Sequence, residues 1–383
     1  MIFATPELTA EDRRVAAEIT GFYEEFRHLL AEPHRWEGQL RRSVTAAAVR
    51  SSTHIEGYTI SEDAAETLIA GGDISADTDE ATLAAVTGYR DALSYIQHAA
   101  RFKIFSWDHT LLSALHFMMT RTEREKQPGE YRTTAVWVMG GRDEPPVYTA
   151  PEPDLVPGLM EELLDWLAHG DLDCPAFVRA SMAHLNLVSV HPWRDGNGRM
   201  SRAAHTLVLA RDGVLAPEFS SIEEWLGSHE RNTSQYYAAL QAVRIAWQPE
   251  RDARPWLRFC LRTHHLQAQS VQRRFMVTQR LWFRLEEIAS VHGLGDRTIT
   301  ALYAAATGQL RRAYYMDEES LTRDQSLADL RALRKLNLIE PVGHARTQRY
   351  IGGPALLAAR REIQADVYKD FFREPYPDRQ PVE

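Results

Sequence analysis

The chain has 383 residues, of which 44% are hydrophobic and 25% charged, with a formal net charge of −9. That length implies two or three domains with ordinary globular cores, and the acidic balance excludes a general attraction to nucleic acid or anionic membrane, leaving only a local basic face open. Two distant cysteines, Cys174 and Cys260, exclude a disulfide framework and a Cys/His zinc cluster. The start, MIFATPELTAEDRR, lacks a signal-peptide pattern, and no stretch approaches the roughly 18 apolar residues of a membrane span, so a cytoplasmic protein without membrane contact is expected.

The pattern along the chain is helical. Val15, Ile19, Phe22, Phe26 and Leu29 recur at three- and four-residue steps and predict a helix over 9–31. A second is expected over 39–56, ending at Gly57 in the left-handed cap position. Others fit 62–70, 80–99, 107–121 and 154–168. The segment 130–150 breaks this rhythm. Val136, Val138 and the Gly140-Gly141 pair suggest a short hairpin, closed by Pro145-Pro146. A helix from Pro175 is broken by Pro192, and the next runs from near Gly198 to Asp212-Gly213. Beyond Pro255-Trp256 a long polar helix over about 257–288 is expected. Helices near 297–307 and 322–336 then precede two short strands, a winged-helix order. The tail after about 372 is polar and proline-rich and is expected to be mobile.

The segment between the two central helices, HPWRDGNGRMSR, holds the parts of a phosphate site. A helix start offers unpaired N–H groups and partial positive charge. Gly196 and Gly198 let backbone approach an anion, and Asn197 can add a donor. Arg199 and Arg202 share a face of the first turn and can grip outer phosphates. Asp195 is suited to hold Mg²⁺, and His191 titrates near neutrality and can accept a hydroxyl proton. Taken one at a time, each residue also fits a blander role: a helix cap, a turn, a solvated face.

Jointly they resemble the Fic family, whose signature reads H-P-F-x-[D/E]-G-N-G-R-x-x-R. His191, Pro192, Asp195, Gly196, Asn197, Gly198, Arg199 and Arg202 stand at matching places, and Trp193 replaces the usual Phe. The resemblance implies a mainly α fold: a Fic-type helical bundle with a small β-hairpin flap, plus a C-terminal winged-helix domain. It implies transfer of AMP from ATP to a Ser, Thr or Tyr hydroxyl of a protein target, which can be the chain itself. His191 would be the base and Asp195 the Mg²⁺ ligand, with Gly196, Asn197, Gly198, Arg199 and Arg202 on the phosphates. Gly129-Glu130-Tyr131-Arg132 and the hairpin resemble the family's flap, with Gly140 and Gly141 near the nucleotide and Met139 to Arg142 at its tip. Tyr236 and Tyr237 resemble a tyrosine pair closing over the nucleoside; core aromatics at helical spacing fit equally well.

Upstream, Ser52 to Gly57 (SSTHIEG from residue 51) resembles the inhibitory motif [S/T]-x-x-x-E-[G/N] of many Fic proteins. A carboxylate in a last helical turn opposes the helix dipole by about 0.3–1 kcal/mol, so Glu56 needs a cation; pairing with Arg199 is the expectation. The domains expected are an N-terminal helical region with inhibitory helix (1–100), a Fic core (101–265), a winged helix (275–352) and a C-terminal helix and tail (353–383). Over 281–351, ten Lys/Arg face nine Asp/Glu, so the candidate recognition-helix residues Arg323, Arg331, Arg334 and Lys335 and the wing residues Arg346 and Arg349 make no basic footprint. Homodimerisation is expected from the layout, and DNA binding is not favoured. Two alternatives stay open: a nucleotide-sensing DNA-binding regulator, and a Fic-type transferase of another phosphate-containing group.

Overall fold

The computed structural model describes residues 1–74, 78–140, 145–213, 216–308, 310–343 and 348–376. Five helices lead the chain: α1 (Ala10–Leu29), α2 (Glu37–Ile55), α3 (Glu62–Ile69), α4 (Glu80–Ala99) and α5 (His109–Thr120). Their starts follow from capping chemistry. Thr9 and Asp12 form a reciprocal capping box, and Ser61, Asp79 and Asp108 each accept a backbone N–H from the first turn. The end of α2 is a Schellman turn. Gly57 adopts φ +90°, its N–H donates to the His54 carbonyl, and that of Tyr58 donates to the Thr53 carbonyl.

A short antiparallel hairpin follows, β1 (Trp137–Met139) and β2 (Pro146–Thr149), with Trp137 opposite Thr149. Then come α6 (Val156–His169), α7 (Ala176–Val190) and α8 (Asn197–Arg211). Every side of α7 from Phe177 to Val190 is buried. A helix without an exposed face occupies the middle of a bundle, and α7 packs along α8 there. Around this pair lie the short α9 (Pro217–Ser220) and α10 (Glu223–Gly227), neither anticipated from periodicity, and α11 (Glu230–Val243). Gly227 lets α10 approach α2 closely, because a Cβ there would collide with the Ser51 carbonyl.

The 38-residue α12 (Arg254–Val291) crosses the whole protein, on the order of 57 Å at 1.5 Å per residue. It runs unbroken through the expected division between residues 265 and 275, so the central bundle and the C-terminal module share one continuous helix. The module comprises α13 (Arg297–Ala306), the unanticipated α14 (Arg312–Glu318), α15 (Arg323–Lys335), the antiparallel pair β3 (Ile339–Val342) and β4 (Arg349–Gly352), and α16 (Pro354–Val367). Leu310 adds an antiparallel bridge to Tyr350. The candidate wing residue Arg349 is ion-paired to Asp63 of α3; Arg346 lies outside the described residues.

The expectation of a mobile tail fails as far as Tyr376. Phe372 meets Trp225 edge-on, Arg373 pairs with Glu18, Glu374 pairs with Arg262, and the buried Tyr376 donates to Asp12. Polar composition alone suggested solvent, but each polar group here has a partner on α1 or α12. The residues after 376 lie outside those described.

Three histidines sit inside the bundle where α7, α8 and α12 meet. His205 Nε2 and His264 Nε2 are 2.9 Å apart, His264 Nδ1 lies 3.1 Å from the Tyr23 hydroxyl, and His184 Nε2 lies 3.0 Å from that of Tyr236. Burial holds all three below the ordinary histidine value, His205 down to about 3. Between pH 6.5 and the folded values, the unfolded chain therefore binds more protons than the folded one, and stability falls as pH falls. Glu66 and Glu223, raised by burial, act oppositely but are outnumbered. Urea denaturation should show at least about 2 kcal/mol less stability at pH 5.0 than at pH 6.5. A flat or rising profile on acidification contradicts this reading of the core.

Candidate active site

The connection between α7 and α8 is a strained turn held from three sides. His191 is the C-cap of α7 in the left-handed region at φ 51°, a conformation uncommon for residues other than glycine. Its Nδ1 lies 3.1 Å from the Val188 carbonyl. A carbonyl only accepts, so Nδ1 carries the proton and Nε2 keeps its lone pair. Burial, then Arg244 and Arg132, hold the ring down to about 4. It is neutral near pH 7, which corrects the expectation of a titration near neutrality, and it remains able to take a proton.

Arg132 ties this turn to the base of the hairpin. Its Nε donates to the His191 carbonyl at 2.8 Å and its Nη2 to the Pro151 carbonyl at 2.6 Å, while its backbone N–H donates to the Pro192 carbonyl at 2.8 Å. Trp193 is fully buried and stacks on His116, with centroids 4.7 Å apart and planes 8° from parallel. His116 in turn lies 3.0 Å from the Asp195 carbonyl and accepts from the Gly129 N–H. Thus the loop, the flap base and α5 form one unit. The roles of Arg132 and His116 were not legible in the sequence, because both act through backbone carbonyls distant in the chain.

Asn197 departs from the expected role. Its Oδ1 accepts from the Trp193 N–H at 3.0 Å and its Nδ2 donates to the Trp193 carbonyl at 2.9 Å. Both amide atoms are engaged in holding the turn, so Asn197 offers an anion only its backbone N–H. Gly196, at φ +75°, is the residue before the first turn of α8, and the N–H groups of that turn form the anion-binding end.

Asp195 lies beside Lys126, which also pairs with Glu123. Its Oδ1 accepts from the Gly196 N–H at 2.6 Å. Burial raises the Asp195 pKa, but Lys126 and that N–H outweigh it and leave it below the usual value. One ionised carboxylate beside an anion cradle fits Mg²⁺, which commonly takes one or two carboxylates and completes its shell with phosphate and water. Lys126, unnoticed in the sequence, occupies that carboxylate here.

The two arginines of the loop are both buried, and their partners differ from expectation. Glu56 pairs with Arg202, at 2.7 Å from Nη2. Arg202 Nε also donates to the Ser52 hydroxyl at 2.7 Å, and Nη2 to the Ser52 carbonyl at 3.0 Å. Burial opposes the charge of Arg202, but Glu56 more than restores it, and the net shift is upward. Arg199 instead lies over the Tyr58 ring at 5.6 Å and donates to the Met119 carbonyl at 3.4 Å. The expected Glu56–Arg199 pair is therefore corrected. Spacing could not separate two arginines on the same face; the direction from which α2 arrives does. A Cβ on Gly198 would collide with Glu56 Oε1, which puts this carboxylate directly over the α8 terminus.

Tyr236 and Tyr237 separate. Tyr236 is buried against Trp256 and bonded to His184, a core role rather than a nucleoside clasp. Tyr237 is 40% exposed, and its hydroxyl donates to the Ile55 carbonyl at 3.3 Å. Gly140 is exposed beyond β1, whereas Gly141 and Arg142 lie outside the described residues. A further residue missed by sequence is Arg244. It covers the Tyr148 ring at 4.0 Å, and Tyr148 lies 6.5 Å from the His191 ring. Arg199 Nε, Arg202 Nη1, and Arg244 Nε and Nη1 are buried without a hydrogen-bond partner among the described residues. Such orphaned cationic donors are costly unless an anion meets them.

Residues 106–209 match the sequence profile of the Fic/DOC family. That segment is similar to the Fic/DOC family, and it contains the α7–α8 turn. The chain is 26% identical over 275 residues to the protein adenylyltransferase fic-1 of Caenorhabditis elegans, covering 70% of this chain and 48% of that protein. It is 33% identical over 135 residues to the protein adenylyltransferase Fic of Drosophila grimshawi, covering 34% of this chain and 23% of that protein. The chain thus spans about half or less of the curated relatives it matches. In fold it is similar to a Fic family protein from Desulfovibrio desulfuricans, with TM-score 0.59 and 21% identity, covering 91% of this chain and 98% of that one. It is also similar to the solved part of C. elegans Fic-1, with TM-score 0.53 and 24% identity, covering 69% and 71%.

Within this Fic domain Trp193 anchors the loop by area and stacking. Trp193→Ala should cost about 3–5 kcal/mol in urea denaturation. Its indole Nε1 is buried without a described partner, so Trp193→Phe removes an unsatisfied donor while leaving a small void and should stay within about 1.5 kcal/mol of the native chain. Equal losses for the two variants contradict the anchoring role.

Proposed function

We propose that this chain is a protein adenylyltransferase that moves AMP from ATP to a Ser, Thr or Tyr hydroxyl of a protein, with Glu56 holding it back. The observation that carries this reading is the set of orphaned donors on Arg199 and Arg202 of α8 and on Arg244, which covers the Tyr148 ring near His191, together with a His191 Nε2 that makes no hydrogen bond among the described residues. The polyphosphate lies on the first-turn N–H groups of α8, and the arginines stabilise its charge. Asp195 would hold Mg²⁺, which when bound neutralises phosphate charge. His191 Nε2 takes the target hydroxyl proton; the oxygen bonds the α-phosphorus as its bond to the β-phosphate oxygen breaks, and pyrophosphate leaves. The approach of phosphate charge raises the His191 pKa toward useful basicity.

The brake follows from electrostatics. Glu56 supplies an internal anion where an outer phosphate would seek Arg202, and the two compete for one guanidinium. Support comes from the collision distance between Glu56 and Gly198 and from the grip of Ser52 on the same arginine. Tyr237, exposed beside the end of α2, stays a candidate contact for the nucleoside. The hairpin offers a short strand against which a target segment can align. We assign α13 to β4 to a winged helix used for contacts within proteins, with a cytoplasmic location and a homodimer as the working state. The ion pair of Arg349 with Asp63 weighs against DNA as its partner.

The test incubates native, E56G and H191A proteins with ATP labelled at the α-phosphate, followed by mass spectrometry. E56G should self-label faster than native, with the mass gain of an adenylate. H191A introduced into E56G should lower the rate at least about 10²-fold. A gain of phosphate alone, or labelling indifferent to His191, overturns the assignment; equal rates for native and E56G overturn the brake.

A further inference from the structure

Apart from the loop, a cavity of about 560 Å³ opens between α2, α3, α12, α14 and α16, where the N-terminal helices meet the C-terminal module. None of its lining residues belongs to the α7–α8 turn. Its size falls in the range of small-molecule sites, roughly 300–1,000 Å³. The surrounding junction is fastened by ion pairs: Arg42 to Glu318 at 2.8 Å, Arg35 to Glu319 at 2.7 Å, and Arg349 to Asp63. The cavity is thus enclosed by elements held together at its rim.

Three guanidinium groups line this space together with Glu62, Glu66 and Asp317, and among the described residues none of the three forms a close ion pair with those lining carboxylates. Arg274 pairs with Glu224, which lies outside the lining, and its Nη1 is buried with no hydrogen-bond partner among the described residues. Arg311 donates to the Thr67 hydroxyl at 3.1 Å and Arg360 to the Ala306 carbonyl at 2.9 Å, both neutral acceptors. Arg42, by contrast, is held by Glu318 and lies over the Tyr314 ring at 4.9 Å, which makes it part of the wall. Leu40, Val277, Leu281 and the Tyr314 ring supply apolar surface in the same lining.

Of the acids lining the space, Glu66 has no ion pair or hydrogen bond among the described residues. Burial, then Glu62, pushes its carboxyl up to about 7. Near pH 7 it is about half protonated, and Arg274 and Arg360 pull it the other way, so it offsets these arginines only in part. Cationic donors and an apolar wall in one cavity together select one ligand chemistry. We propose that this cavity binds a small aromatic organic anion, its ring against Leu40, Leu281 and Tyr314 and its anionic group on Arg274, Arg311 and Arg360. Its occupant also touches Gln39, Leu40 and Ser43 of α2, the helix whose other end carries Ser52 and Glu56.

The experiment titrates the full chain with 8-anilinonaphthalene-1-sulfonate and, separately, with N-phenyl-1-naphthylamine, which has the same rings without the sulfonate. The expected result is one saturable fluorescent site for the sulfonate, with the neutral analogue at least about tenfold weaker. R311Q/R360Q should weaken the sulfonate at least about tenfold, with unchanged circular dichroism and melting temperature; R311K/R360K should retain most of the affinity. If the double glutamine variant does not fold, the single variants are read in its place. Competition by benzoate, benzenesulfonate and phenyl phosphate then ranks the anionic groups. Equal binding of the neutral analogue, non-saturable enhancement, or unchanged affinity in the glutamine variants overturns the proposal. Displacement by ATP with no effect of Arg311 and Arg360 substitutions overturns it too, because the dye would then sit at the catalytic loop.

Discussion

A guanidinium with almost no solvent exposure needs an anion, and in this protein the need of Arg202 organises the site. Arg202 stands in the second turn of α8 with its guanidinium reaching back beside Gly198, close to the end that carries partial positive charge, so two sources of positive potential lie together. Ser52 and Glu56 answer both from the end of α2. Glu56 would be poorly placed on an isolated helix, since a carboxylate in the last turn opposes its dipole. Brought against Arg202, it gains more than that position costs. The contact therefore joins two helices that are each electrostatically incomplete alone, and it seats a carboxylate where a nucleotide phosphate is proposed to bind.

The loop that presents His191 is equally dependent on distant parts. Its left-handed backbone is sustained because Arg132 binds its carbonyl, Asn197 bonds twice to Trp193, and Trp193 lies flat on His116. They hold the turn in which His191 Nδ1 meets the Val188 carbonyl, the contact that fixes the tautomer and leaves Nε2 unengaged. They also explain why the asparagine of the motif serves the loop rather than a ligand: a buried turn with open carbonyls must satisfy them internally. The flap base, α5 and α7 thereby form one scaffold for the proposed chemistry.

The continuous α12 links this scaffold to the C-terminal module, and the cavity at their junction is lined by α2 as well. Two regions of unmatched positive charge thus touch the same helix from opposite ends. One is met by Glu56. At the other, Arg311 and Arg360 donate to neutral oxygens and form no close ion pair with the lining carboxylates among the described residues, which is the basis for assigning it an external anion.

Much of this was legible in residue order. Helical periodicity and capping residues located α1 to α8 to within a few positions, because those signals are local: a side chain three or four residues away, a hydroxyl before the first turn, a glycine after the last. The turn proposed to bind phosphate was legible for the same reason, since its parts lie within twelve consecutive residues. What only the tertiary structure decided were the partners: that Glu56 meets Arg202 while Arg199 faces Tyr58, that Lys126 lies on Asp195, that Tyr236 is core, and that the segment through Tyr376 is held down. Each depends on which helix face arrives from elsewhere in the chain and at what angle. Spacing along one helix can name the candidates for a contact, but only the packing of two helices chooses between them.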